Sequence, residues 1–222
     1  MPTTQRYDIP IRIEVNRGEL GGIPAGLGSM MRATMINLEF VDLGRVTWAE
    51  ARETLESEGA IIDGAIRDAR DARHLVELLN KGDDEAYDED FEGSLGTMLD
   101  LGTRAATFAL NAADCPTFYS CQGHGGPDAF PNIAFYAAEA QLELLQASAR
   151  AAGIGLINNN DGALEVFSDR FDGFLCFARE LHAREAEFDK VGRPHDQRGS
   201  VEDDDDAGES DFKEDEVEEG ES

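Results

Sequence analysis

Residues 132–168 read NIAFYAAEAQLELLQASARAAGIGLINNNDGALEVFS, and this stretch decides the predicted fold. It predicts a strand, a helix and a two-stranded hairpin in succession, at residues 132–137, 138–152, 154–158 and 163–168. Gly153 is typical of the end of a helix. The NNDG sequence at 159–162 is typical of the turn in a hairpin.

The same kind of pattern extends on both sides of this stretch. It predicts a helix, a strand and a final helix at residues 94–113, 117–120 and 171–188. The order from Gly93 onward is therefore α-β-β-α-β-β-α. Such an order indicates an α+β fold, in which a small antiparallel or mixed sheet carries helices mainly on one face.

The residues before Gly93 predict two strands and two helical stretches, at 7–15, 34–43, 47–58 and 60–80. The two strands have the lengths needed to pair as a wide hairpin. Thr47 and Glu50 have the spacing of a helix capping box, and Gly59 predicts a break in the helix. An acidic loop at 83–92 marks a boundary in the chain.

These patterns divide the chain into three parts. Residues 1–92 form a subdomain or a part of one domain, and residues 93–190 form the core with a glycine-rich loop. Residues 191–222 form an acidic tail that lacks apolar periodicity. We expect this tail to be disordered, because it buries too little apolar surface to offset the loss of chain entropy.

The charge of the chain restricts its partners. The formal net charge is −28, from 47 acidic and 19 basic residues. The last 22 residues contain 13 acids and one lysine, so they carry −12 and the other 200 residues carry −16. Such a surface repels phosphate backbones and anionic lipids, so direct binding to nucleic acid or membrane is disfavoured. Salt adaptation is an alternative reason for the acidity.

The termini and the cysteines predict a cytoplasmic protein. The first residues lack the basic and apolar regions of a secretory signal, and no apolar run has the length of a membrane helix. The cysteines are Cys115, Cys121 and Cys176. Because their number is odd and the chain is not small, they indicate reduced thiols and no disulfide framework.

One segment concentrates reactive and glycine residues, namely DCPTFYSCQGHGGPD at 114–128. A predicted strand leads directly into a glycine-rich loop at 121–126, a frequent geometry for binding sites. The first hypothesis is that this loop binds a small polar or anionic molecule. The residues predicted to contact that ligand, together with His124, are Ser120, Gln122, Gly123, Gly125 and Gly126.

A second hypothesis makes the same loop a catalytic site. Cys121 is then the nucleophile and His124 its base, with Asp128 nearby in the sequence. In a zinc variant of this hypothesis, Cys115 or Cys176 joins Cys121 and His124, although paired C-x-x-C motifs are absent. A third interpretation gives this loop no function. It explains the same residues as a buried cysteine, a hydrogen-bonded histidine and glycines in a tight turn. No cofactor or oligomeric state follows from these residues.

The loop resembles the signature of a known enzyme family. Thr117-x-x-Ser120-Cys121-x-Gly123 is similar to the T-x-S-S-C-S-G-R signature of the wybutosine-synthesis methyltransferases, which act on a modified tRNA guanosine. The resemblance covers residues 117–124 and, more loosely, the strand and helix that follow. It implies a related loop architecture. His124 replaces the basic arginine of the family, and the acidic chain disfavours a tRNA partner.

A third hypothesis concerns the whole surface instead of one loop. Dense carboxylates on a domain can occupy a basic groove of a partner, as nucleic-acid mimics and inhibitor proteins do. The −16 carried by the first 200 residues supports this interpretation more than the tail does, since acidic tails commonly serve solubility. The expected partner is then a basic protein.

Overall fold

The computed structural model describes residues 7–27, 30–31, 42–44, 46–70, 74, 77–78, 81, 99–123 and 130–192. The strands in this part of the chain are β1 Ile13–Glu14, β2 Thr117–Cys121, β3 Asn132–Phe135, β4 Gly155–Asn158 and β5 Leu164–Phe167. The helices are α1 Trp48–Asp68, α2 Arg104–Ala112, α3 Leu142–Ala152, α4 Gly173–His182 and α5 Glu185–Val191.

The five strands form one mixed sheet in the order β1-β4-β5-β3-β2. β1 is parallel to β4, whereas the β4–β5, β3–β5 and β2–β3 pairs are antiparallel. The predicted α+β fold with a mixed sheet is therefore confirmed. The predicted hairpin is also present, and its turn contains Gly162 at a φ of +82°, a conformation that favours glycine.

The helices pack against one face of the sheet. Ile133 and Phe135 of β3 and Val166 of β5 belong to the main hydrophobic core, together with residues from α1 to α5. Trp48 and Ile62 of α1 lie in that same core. α4 packs against α1, α2 and α3. The N-terminal helix and the C-terminal elements therefore share one core.

The opposite face of the sheet, called the second face below, carries the intervening residues of each strand. Asn132 and Ala134 of β3 and Glu165 of β5 lie on it, because side chains alternate along a strand. Tyr136 and Ala163 continue this face, and they form a small separate cluster with Leu27 and Met31. Only a part of the second face therefore belongs to an apolar cluster among the described residues.

Helix α1 confirms one local prediction and contradicts another. The hydroxyl of Thr47 accepts a hydrogen bond from the backbone N–H of Glu50 at 3.3 Å, and the Glu50 carboxylate accepts one from the N–H of Thr47 at 2.7 Å. The predicted break at Gly59 is wrong, since α1 continues to Asp68. Gly59 is buried beside Leu175 of α4, and this packing supports the helix through the glycine.

Three predicted elements are shorter than expected. Of the helix predicted at 94–113, residues 94–98 lie outside the described part; within that part the helix begins at Arg104, and Gly102 adopts a φ of +97° just before it. The helix predicted at 171–188 is divided into α4 and α5 at Arg184, and this places Phe188 in the core. Within the strand predicted at 7–15, only β1 forms, since it pairs with β4 over two residues.

Several predictions fall on residues that the structure does not describe. They are residues 34–41 of the strand predicted at 34–43 with its hairpin pairing, most of residues 71–80 of the helical stretch predicted at 60–80, the acidic loop at 83–92 and the tail from residue 193 onward. In the described part of the chain, no helix combines the length and the apolar character needed to cross a membrane.

Candidate functional site

The predicted site residues of β2 lie on different faces of the sheet. Among the described strands β2 lies at the edge of the sheet, and in it Tyr119 pairs with Ala134 while Cys121 pairs with Asn132. Cross-strand partners share a face, so Tyr119 and Cys121 lie on the second face. Ser120 pairs with a core residue of β3 and lies on the helix side. The structure therefore separates Ser120 from Cys121.

The chain turns sharply directly after β2. Gly123 has a φ of +79°, in the left-handed region that favours glycine. Its backbone N–H donates to the Sγ atom of Cys121 at 3.4 Å, so the turn folds back on the thiol.

Two residues from distant parts of the chain meet this turn. The Oδ2 atom of Asp100 accepts a hydrogen bond from the backbone N–H of Gln122 at 3.2 Å. The hydroxyl of Tyr7 donates to the carbonyl oxygen of Gly123 at 3.4 Å. Residues separated by more than 90 positions in the sequence therefore converge at the end of β2.

A buried carboxylate fixes the segment that carries Asp100. Glu58 of α1 is 2% exposed, and it accepts hydrogen bonds from three backbone N–H groups at the start of α2. The donors are Gly102 at 2.6 Å, Arg104 at 3.2 Å and Ala105 at 2.9 Å. Glu58 thus caps a helix to which it does not belong, and it anchors the backbone two residues after Asp100.

Negative groups dominate the electrostatics of this region. Burial raises the pKa of Tyr7, and the nearby thiol of Cys121 raises it further. Burial also raises the pKa of Tyr119, with added contributions from Cys121, Asp100 and Glu165. Each of these neighbours disfavours another negative charge. The phenols therefore stay neutral well above neutral pH, and Tyr7 keeps the proton that it donates to the carbonyl oxygen of Gly123.

The sequence missed three of the residues that form this site. Tyr119 was detectable, because it lies two positions before Cys121 on a predicted strand and therefore shares its face. Asp100 and Tyr7 carried no local signal, since each reaches the site through the tertiary fold. The backbone N–H of Gln122 binds Asp100, and the predicted contact of Gln122 with a ligand stays a prediction.

The catalytic hypothesis receives little support from the described residues. His124, Gly125 and Gly126 lie outside them, so the pairing of Cys121 with His124 stays a prediction. Among the described residues, the groups that interact with Cys121 are the backbone N–H of Gly123 and the phenols of Tyr7 and Tyr119. Reactive thiolates are usually found in electropositive surroundings, and this neighbourhood is acidic.

The three cysteines occupy separate environments. Cys115 is fully buried in the main core, where its thiol donates to the carbonyl of Ala113 at 3.6 Å and burial raises its pKa strongly. Cys176 packs against the core from α4, whereas Cys121 lies on the second face. No group of three or more histidine, cysteine, aspartate or glutamate residues suited to a metal ion occurs among the described residues.

Comparison of the chain with protein-family models, curated proteins and solved structures finds no match to any of them. The resemblance of residues 117–124 to the wybutosine-synthesis methyltransferases therefore rests on those residues alone and stays a prediction.

Proposed function

We propose that this protein binds a small polar ligand at the end of β2, beside Cys121. The observation that carries the proposal is the convergence of Tyr7, Asp100 and the turn at Gln122 and Gly123 from distant parts of the chain. Sites that recognise small molecules bring a few polar groups together on a rigid scaffold in this manner. The sheet and the Glu58 cap supply that scaffold.

The polar groups at this position are suited to hydrogen bonding. The hydroxyl of Tyr119 is a donor and an acceptor, and the side chain is 41% exposed. The carboxylate of Asp100 holds one N–H through Oδ2, and a carboxylate has acceptor capacity for more than one donor. A ligand with several polar atoms can therefore be held at the surface beside these two residues.

The proposal is tested by a screen of small neutral, anionic and cationic molecules, with backbone amide chemical shifts as the readout. We expect at least one class to move the amide signals of Gln122 and Gly123 in a saturable manner. Tyr119→Ala should weaken that response, whereas Val191→Ala, which alters another exposed apolar residue, should not. Binding that leaves both amide signals unchanged would contradict the proposed location.

A second candidate function is that of an acidic interaction protein with a basic protein as its partner. The net charge of −16 over the first 200 residues favours it, and α1 alone exposes the carboxylates of Glu50, Glu53, Glu56 and Asp63. We expect the full-length chain to retain basic proteins in a pull-down at about 0.1 M salt and to release them near 1 M, where charges are screened within ~3 Å. Retention that does not depend on salt would count against this function.

A further inference from the structure

The side chains around the proposed site include the phenol of Tyr119 and the carboxylates of Asp100 and Glu165. Tyr119 of β2 and Glu165 of β5 both pair with Ala134 of β3, from its two sides. These two long side chains therefore flank a small residue on the second face. Asp100 lies close enough to Tyr119 for its charge to act on the phenol, as does Glu165.

An unsatisfied acceptor lies beside these groups. Asn132 pairs directly with Cys121, and its Nδ2 atom donates to the Oε1 atom of Glu165 at 3.0 Å. This bond fixes the orientation of the amide, so the Oδ1 atom is an acceptor. Oδ1 is shielded from solvent and has no hydrogen-bond partner among the described residues. A shielded carbonyl oxygen without a donor is completed by a further group next to it, either a water or a ligand N–H.

The exposed aromatic surface supplies a second kind of contact. Tyr119 is one of the few large apolar side chains that remain exposed in the described part of the chain. The face of an aromatic ring is electronegative and attracts ammonium and guanidinium groups, more strongly when the site is partly desolvated. The two carboxylates near Tyr119 reinforce this attraction, and they repel an anion.

We propose that the ligand of this site is a small organic cation that carries a guanidinium or ammonium group. The inference rests on the proposed function and specifies its ligand class. Asp100 and Glu165 provide the opposite charge, the ring of Tyr119 contacts the cation, and Oδ1 of Asn132 accepts a hydrogen bond from it. The net charge of −28 raises the local concentration of such cations.

The test compares three probes of similar size at constant ionic strength. They are methylguanidinium, the neutral methylurea and inorganic phosphate. We expect methylguanidinium to move the amide signals of Gln122, Gly123 and the Asn132 side chain in a saturable manner, with an apparent affinity at least about fivefold above that of methylurea. We expect no such response to phosphate.

Charge-neutral variants separate this site from the acidic surface in general. Asp100→Asn and Glu165→Gln keep their acceptor oxygens, and each should weaken methylguanidinium binding by about fivefold or more. Asp63→Asn removes the same charge from an exposed position of α1 and should leave binding unchanged. Equal weakening by Asp63→Asn would show diffuse ion attraction and overturn the inference.

The remaining outcomes distinguish the inference from the proposed function. If methylurea or phosphate moves the signals of Gln122 and Gly123 and methylguanidinium does not, the cationic ligand class is wrong and the binding site stands. If methylguanidinium gives only non-saturable shifts, the inference is also overturned. The proposed function fails when the wider set of neutral, anionic and cationic molecules leaves these signals unchanged.

Discussion

Two carboxylates that lie close together in the fold, Glu58 and Asp100, have opposite environments. Glu58 is 2% exposed, and both of its oxygens accept backbone N–H groups at the start of α2. Asp100 is partly exposed and accepts one N–H, from Gln122. The same short segment of the chain is therefore anchored in the core at one end and partly exposed at the other.

The two residues differ in how much of their acceptor capacity is used within the fold. Burial raises the pKa of Glu58, while the N–H donors of Ala105 and Gly102 and the charge of Arg104 act in the opposite direction. The acceptor capacity of Glu58 is used within the fold. Asp100 retains acceptor capacity at the surface, so it is the one that can meet a ligand.

The largest expected effect is that of removing the buried carboxylate. Glu58→Ala leaves the N–H groups of Gly102, Arg104 and Ala105 without an acceptor inside the protein. We expect the free energy of unfolding to fall by about 3 kcal/mol, since an unsatisfied buried group costs ~1–3 kcal/mol and part of the loss is relieved by water. Chemical denaturation measures this change.

A neighbouring glutamate provides the control for this variant. Glu56 is exposed on the same helix, and we expect Glu56→Ala to change the free energy of unfolding by no more than ~0.5 kcal/mol. The loss of unfolding free energy in Glu58→Gln, which keeps one acceptor oxygen, should lie between the losses in Glu56→Ala and Glu58→Ala. Similar losses for Glu56→Ala and Glu58→Ala would show that the cap does not stabilise the start of α2.

The next effect concerns the backbone that connects the two carboxylates. Gly102 has a φ of +97°, and a Cβ atom there would lie 3.0 Å from Cζ of Phe171. Gly102→Ala should therefore lower the free energy of unfolding by about 1–2 kcal/mol. It should also shift the amide signal of Gln122, because Asp100 moves with this backbone.

Another glycine gives the opposite expectation and serves as the control. Gly64 lies inside α1, and no atom is within 4 Å of the position of its Cβ atom. Gly64→Ala should raise the free energy of unfolding by about 0.5–1 kcal/mol, because glycine is unfavourable in a helix interior. Destabilisation of the same size by both variants would contradict the explanation from φ.

A smaller effect is the pH dependence of stability that His182 of α4 causes. His182 contacts Trp48 with the ring centroids 5.3 Å apart. Burial lowers the pKa of His182, and the charge of Arg52 lowers it further. The backbone carbonyl of Ala51 and the charge of Glu185 raise the pKa, but by less than burial lowers it. The folded protein therefore favours neutral His182. Its contribution to stability is fully present above about pH 6.5, the ordinary pKa of histidine, and is lost as the pH falls through the lowered pKa of the folded state.

The measurement is the free energy of unfolding at pH 7.5 and at pH 5.5. We expect the wild-type chain to lose more stability between these two pH values than the His182→Gln variant does. The difference between the two losses should be smaller than the loss of stability caused by Gly102→Ala. The phenols of Tyr7 and Tyr119, with raised pKa values, contribute nothing in this range. Identical pH dependence in both proteins would remove His182 as the cause.

The fold was largely predictable, whereas the site was predictable only in part. Hydrophobic periodicity specifies each segment locally, so residues 132–168 gave the correct strand, helix and hairpin. The error at Gly59 arose because packing against α4 overrides local propensity. The roles of Glu58 and Asp100 depend on contacts between segments more than 20 residues apart, and no local pattern specifies such contacts.

The smallest expected effect on stability belongs to the surface carboxylate. Asp100→Asn keeps an oxygen for the N–H of Gln122, so we expect the free energy of unfolding to change by no more than ~0.5 kcal/mol. It nevertheless removes a charge that raises the pKa of Tyr119, after burial and Cys121. An alkaline titration of tyrosine absorbance should therefore show Tyr119 ionising at lower pH in this variant, whereas Asp63→Asn should leave that titration unchanged. An unchanged titration in Asp100→Asn would show that the wild-type Asp100 carboxylate lies away from the phenol of Tyr119. Glu58 and Asp100 would then differ only in their burial.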